Sequence, residues 1–154
     1  MNKLYPLLLL STIIVAGCSK DFLRSYEKRI EGTWILHDID TRGPGSSRPM
    51  PVKEGEQFIF SEDGSLQYTR LTGDVISGVW DISRRNTNGN CYTNDYGDRV
   101  CETREVKTLN LQGVDFTNQV YFGINFDEMV FTGTNRFKVY IYEGAKTYIF
   151  RFRR

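Results

Sequence analysis

Enzymatic group transfer needs a nucleophile, an acid–base group and a residue that orients it, and this chain holds few side chains suited to those roles. Its single histidine, His37, lies in the strand-like stretch ILHDID with no Ser or Cys motif beside it. Alternation along a strand puts His37 with Ile35 on the face opposite Trp34, which points to a surface imidazole rather than a general base or metal ligand. Asp38 and Asp40 fall on the Trp34 face at the strand's end, where they are either solvated or mark a polar mouth. Glycoside cleavage needs two carboxylates facing each other across a cleft, and no spacing here argues for that. Asn86–Asn90, with Asp95 and Asp98 nearby, offers oxygens but lacks the alternating carboxylates and closing Glu of a calcium loop. Zinc would need several His or Cys ligands. No enzyme, metal site or cofactor is expected.

The three cysteines, Cys18, Cys91 and Cys101, depend for their chemistry on where the chain resides. Lys3 makes a small positive n-region and Leu7 to Val15 an apolar h-region, and Ala16-Gly17 is small enough for peptidase cleavage. The apolar run is too short for a membrane span, which takes about 20 residues. Residues 1–17 thus read as an export signal, and Val15-Ala16-Gly17-Cys18 resembles the lipobox of bacterial lipoproteins. That resemblance implies cleavage before Cys18 and its lipidation by a diacylglycerol and an N-acyl chain, together enough for a stable membrane anchor. Ser19, rather than Asp, follows Cys18, which within the resemblance implies the outer membrane, on its periplasmic side or at the cell surface. Cys91 and Cys101 then remain as an even pair outside the cytoplasm and are expected to form a disulfide stapling the polar loop YTNDYGDRV. A redox-active pair would ordinarily show CxxC spacing and a depressed thiol pKa.

These groups need elements to hold them. The 154 residues, 40% of them hydrophobic, suffice for one domain with a real core. Twenty Lys and Arg against nineteen Asp and Glu leave no one-signed half, so a nucleic-acid partner is not expected. Ten Phe, nine Tyr and fourteen Gly favour strands and tight turns. Phe22, Leu23, Tyr26 and Ile30 recur at helical spacing, predicting a short amphipathic helix over Ser19–Glu31. GTWILHDID then reads as a strand, and the proline-bearing TRGPGSSRPMPVKEG as a long loop. QFIFS, SLQYTRL and VISGVWDIS form a meander turning at Asp63-Gly64 and Gly73-Asp74. VKTLNLQ, QVYFGINFD, EMVFTG, FKVYIYEG and KTYIFRFRR follow at short, even spacing. Inward positions by alternation are Phe58, Phe60, Leu66, Tyr68, Ile76, Gly78, Trp80 and Ile82; Leu109 and Leu111; Val120, Phe122, Ile124 and Phe126; Met129, Phe131, Phe137, Val139 and Ile141; and Tyr148, Phe150 and Phe152. The expectation is an all-β, antiparallel up-and-down barrel of about eight to nine strands over residues 31–154, with residues 18–30 as anchored leader and short helix.

A helix leading into Gly32-Thr33-Trp34, then a long loop and nearest-neighbour strands, resembles the lipocalin or calycin barrel. FIFSEDGSLQYTRLTGDVISGVWDIS and the closing INFDEMVFTGTNRFKVYIYEGAKTYIFRFRR are similar to the small lipocalin-like lipoproteins of Bacteroidetes-type bacteria. The resemblance implies that Gly32 and Trp34 close one end of the barrel with a basic residue of the last strand, Arg151 or Arg153. It also implies a lumen that either carries a small hydrophobic ligand or is filled. Phe58, Phe60, Tyr68, Trp80, Phe122, Met129, Phe131, Tyr148 and Phe150 are the candidate lining residues. The two readings are a lipid-anchored ligand carrier and a packed barrel whose loops contact an envelope protein or glycan. An apolar cavity of about 300 Å³ or more would favour the first, and a filled interior with an exposed apolar rim the second.

Overall fold

A computed structural model of the chain describes residues 24–116 and 118–154. The expected export signal, Cys18 and the first residues of the expected helix lie outside the described residues. Helix α1 spans only Tyr26–Ile30, shorter than the apolar spacing predicts, because the Ser25 hydroxyl accepts from the Lys28 N–H (3.3 Å) and sets its start there. Gly32, with φ +110°, turns the chain from helix into sheet, a conformation that favours glycine.

Nine strands follow: β1 (Gly32–Arg42), β2 (Gln57–Phe60), β3 (Ser65–Thr69), β4 (Val75–Thr93), β5 (Arg99–Asp115), β6 (Val120–Phe126), β7 (Glu128–Gly133), β8 (Arg136–Glu143) and β9 (Lys146–Arg153). They form one antiparallel sheet in the order β6-β5-β4-β3-β2-β1-β9-β8-β7, the expected all-β up-and-down arrangement. Strands β6 and β7 are consecutive in the chain, separated only by Asp127, yet occupy opposite edges of the sheet. The sheet must therefore curl until its edges meet, and β5 comes to lie against β7. Among the described residues no ladder joins β6 to β7, so the sheet is not closed by backbone pairing, and chain continuity and packing bring its two edges together. Asp127 fastens this seam. Its N–H donates to the Tyr140 carbonyl (2.8 Å), and its carboxylate accepts from the Tyr142 N–H (2.8 Å) and from Arg85 (3.1 Å).

Curling also depends on a close approach between β4 and β5. Gly78 and Gly113 are register partners, and a Cβ on Gly78 would lie 1.9 Å from the Gln112 carbonyl oxygen. Only glycine fits there, and the pair lets the sheet bend where larger side chains would hold it flat.

One expectation is corrected. CYTNDYGDRVC is not a stapled loop but the end of a two-stranded ribbon, because β4 runs 19 residues and β5 17. From Arg84 to Thr93 the ribbon is about 30 Å long at roughly 3.3 Å per residue. Cys91 and Cys101 are direct cross-strand partners with Cα atoms 3.9 Å apart, joined by a disulfide. At the tip the Asn94 side-chain oxygen accepts from the Tyr96 and Asp98 N–H groups (3.0 and 2.8 Å), so a tight turn replaces the loop. A two-stranded ribbon is marginal by itself, and the disulfide offsets part of that weakness.

Candidate functional site

The lumen is where a carrier would hold its cargo, and its predicted lining is present but consumed by packing. Tyr68 stacks on Phe58 and Phe122 with ring centroids 4.6 and 4.8 Å away. Phe58 meets Phe152 edge-on (5.4 Å), and Phe152 stacks on Phe137 (4.5 Å). Phe60 lies against Trp80 (5.8 Å), Phe126 against Phe150 (5.2 Å), and Phe131 against Tyr26 (5.2 Å). Phe58, Phe60, Tyr68, Met129, Tyr148 and Phe150 are buried, as are Phe122 and Trp80, while Phe131 is partly so. At these spacings no ligand fits between the rings. Expelling one large ring to admit a ligand would forfeit about 3–5 kcal/mol, a large share of the roughly 5–15 kcal/mol that holds a domain together. Of the inward positions, Val120 is the exception, half exposed at the start of β6.

The mouth is filled as well. Segment 43–56 drapes over it, with Val52 buried and Met50 packed on the core. Glu56 is buried there and accepts from the Tyr68 hydroxyl (2.5 Å) and the Lys53 N–H (2.7 Å). Burial, and then the Glu56 carboxylate, push the Tyr68 phenol well above its ordinary pKa. Arg48 ion-pairs with Glu143, and its N–H donates to the Tyr148 hydroxyl (3.4 Å), tying the segment to β8 and β9.

At the closed end Trp34 is fully buried, and its Nε1–H donates to the Ile30 carbonyl (2.6 Å). The basic residue over its ring is Arg154, 4.3 Å from the centroid, and not Arg151 or Arg153. Strand parity explains the correction: Tyr148, Phe150 and Phe152 point inward, so Arg151 and Arg153 point outward and Arg154 returns over the barrel's end. Arg154 also donates to the Arg29 and Glu31 carbonyls, locking α1 onto the sheet. Continuing the inward alternation by one step would have identified it.

A second correction comes from a bulge. The β1–β9 register runs Leu36↔Phe152 and then Asp38↔Arg151, leaving His37 as the extra residue. Beyond it the faces exchange: Ile39 packs on the core, while Asp38 and Asp40 leave the Trp34 face and turn to the outside. Both accept from Arg151, the Asp40 contact at 3.1 Å. The Arg151 guanidinium holds the Asp40 carboxyl below its ordinary pKa. His37 is exposed, as its alternation with Ile35 implies.

The exterior carries two further features that residue types alone did not reveal. Leu71 and Phe116, in the β3–β4 and β5–β6 turns, are 62% and 77% exposed. Val75, Val114, Val120 and Tyr121 adjoin them across β4, β5 and β6 and are also exposed, giving an apolar rim and outer face on one side of the barrel. The Arg70–Asp115 ion pair (2.9 Å), with Asp115 buried, holds the two turns together. The second feature is the ribbon, whose base is fixed by Arg104 and the Tyr142 hydroxyl both donating to Glu128 (2.7 Å each). Tyr92 and Tyr96 stand exposed near its tip. Among the described residues no group of three His, Cys, Asp or Glu side chains is placed to hold a metal. Comparison with protein-family models, with curated proteins and with solved structures found no match to this chain.

Proposed function

We propose that this chain is a lipid-anchored interaction protein of the cell envelope, a packed lipocalin-like barrel that engages a protein partner through its apolar rim rather than carrying a hydrophobic molecule inside. The observation that carries this reading is the pairing of a ring-filled lumen with exposed Leu71, Val75, Phe116, Val120 and Tyr121 on one side. Large side chains gathered in the open rarely benefit a free monomer, and such patches mark contact surfaces. The anchor at Cys18 would hold the barrel at the membrane, and the Cys91–Cys101 bridge suits an oxidising envelope. No catalytic constellation or cofactor enters this reading.

The test places a photo-crosslinker at Phe116 in the full chain, expressed in its own host, with and without Leu71→Ser/Tyr121→Ser. One discrete crosslinked protein, lost in the double variant while the thermal midpoint holds, is the expected result. Native mass spectrometry of the same preparation should show the mass of the lipidated chain beginning at Cys18 and no further bound molecule. A co-purified small apolar molecule, or crosslinking indifferent to the substitutions, would overturn the reading in favour of a carrier.

A further inference from the structure

The outward face of β8, β9 and β1 shares no residue with the apolar rim and carries a pocket of about 440 Å³. His37, Thr132, Arg136, Lys138, Arg151 and Arg153 line it. The register makes this pocket electrostatically incomplete. Arg136 stands directly opposite Arg153, and Lys138 directly opposite Arg151, so two adjacent rungs of the β8–β9 ladder each pair cation with cation. Like charges in directly opposed positions destabilise strand pairing. One rung has its own remedy, since Arg151 is neutralised by Asp38, its partner on β1, and by Asp40. The other rung does not. Its neighbours across the sheet are Ile35 on β1 and Gly133 on β7, and among the described residues Arg136, Arg153 and Lys138 form no ion pair. The fold thus sets the two guanidinium groups of that rung, with no carboxylate on either, beside one concavity, and the Lys138 ammonium, whose rung Asp38 and Asp40 balance, lies next to them.

We propose that this pocket binds a phosphate monoester, the head of a phosphorylated sugar or lipid, held between Arg136 and Arg153 with Lys138 and His37 beside it. Guanidinium forks match two phosphate oxygens at once, as a lysine cannot. A monoester is close to a dianion at neutral pH, so it balances two unpaired cations where a carboxylate balances one. The volume admits the phosphate together with a sugar-sized group.

The experiment titrates the full chain, in uncharged detergent micelles, with three probes: inorganic phosphate, glucose 6-phosphate, and a short-chain phosphatidic acid mixed into the micelles. Saturable binding tighter than about 1 mM to at least one probe is expected. Preference for glucose 6-phosphate would identify a soluble sugar source and preference for the phosphatidic acid a lipid headgroup. Arg136→Gln/Arg153→Gln should weaken binding at least about tenfold, whereas Arg84→Gln/Arg99→Gln, which removes the same charge from the ribbon, should bind as the unaltered chain does. The first double variant relieves a repulsive rung, so its thermal midpoint should hold or rise. A readout that needs no variant is the Arg136 and Arg153 side-chain Nε–H resonances, which should shift with phosphate ahead of those of Arg84 and Arg99. Absence of saturable binding to every probe, equal weakening by the ribbon variant, or unmoved Arg136 and Arg153 signals would each refute the site.

Discussion

The seam at Asp127 offers the sharpest test of how this sheet closes, because a single side chain there joins elements that no ladder connects. Asp127→Ala leaves the backbone bond to Tyr140 intact and removes two others: the Tyr142 N–H to the carboxylate at 2.8 Å and Arg85 to the carboxylate at 3.1 Å. The Arg85 side chain is half exposed, so that ion pair contributes about 0.5 kcal/mol or less. The bond from the backbone N–H to an ionised oxygen is the larger share, about 1.5 kcal/mol. The variant should therefore lose about 1.5–2 kcal/mol in urea unfolding with an unchanged m-value. In a domain of this size that is a fall of about 5–8 °C in thermal midpoint. Arg85→Ala should cost no more than about 0.5 kcal/mol, which separates the two bonds. Amide exchange should rise first at Tyr142 and along the ribbon base at Arg85 and Val106. A loss under about 0.5 kcal/mol for Asp127→Ala, or exchange rising uniformly over all strands, would show that packing alone closes the sheet.

Gly78→Ala should cost about 2–3 kcal/mol or more, since its Cβ would sit 1.9 Å from the backbone oxygen of Gln112, and a midpoint within a degree or two of the unaltered chain would refute the close approach. Replacing Cys91 and Cys101 by Ala releases a closure that chain entropy values at about 2–3 kcal/mol, yet that cost should fall on the ribbon. Protection at Thr87 and Thr103 should collapse while core amides of β2, β3 and β9 keep theirs; equal loss throughout would mean that ribbon and barrel unfold together. Asp40, held below the ordinary carboxyl range by Arg151, contributes stability that is present above its unfolded pKa and lost as pH falls through the lower folded value. In an NMR titration Arg151→Gln should raise the Asp40 midpoint toward the ordinary range, with Arg42 still lowering it; an unmoved midpoint would remove Arg151 as the main cause.

How far these elements could be read in advance depended on whether a local pattern or a register decided them. Alternation in Phe58-x-Phe60, Leu66-x-Tyr68 and Tyr148-x-Phe150-x-Phe152 is a local signal, and those faces are buried in the folded chain. The bulge at His37 leaves no such mark. Alternation carried straight through it puts Asp38 on the inside, whereas one extra residue turns Asp38 outward to Arg151. The ribbon was hidden for a different reason: Asn86–Asn90 and Asn94–Asp98 have turn composition, and cross-strand pairing of Thr87, Tyr92, Val100 and Thr103 extends strands through much of it. Arg154 lay within reach of parity but one step past the last aromatic. The cation rungs of β8 and β9 could not be seen at all until the register set Arg136 opposite Arg153.

That last point also bears on where the function resides. Once rings fill the lumen, the interior specifies the fold and little else, so the recognition proposed for this chain rests on outward positions, which the same alternation leaves free to vary. Near the β3–β4 and β5–β6 turns those positions include Val75, Val114 and Tyr121; on two adjacent rungs of β8 and β9 they are Arg136, Arg153, Lys138 and Arg151. Neither choice is needed by the barrel. Exposed Leu71, Phe116 and Tyr121 gain little from folding, and the Arg136–Arg153 rung opposes it. Side chains that are neutral or costly for the isolated domain are the places to look for what it meets, and here they define two separate faces of different chemistry. Substitutions at one face should leave binding at the other unchanged, and coupling between them would mean that both contact a single partner.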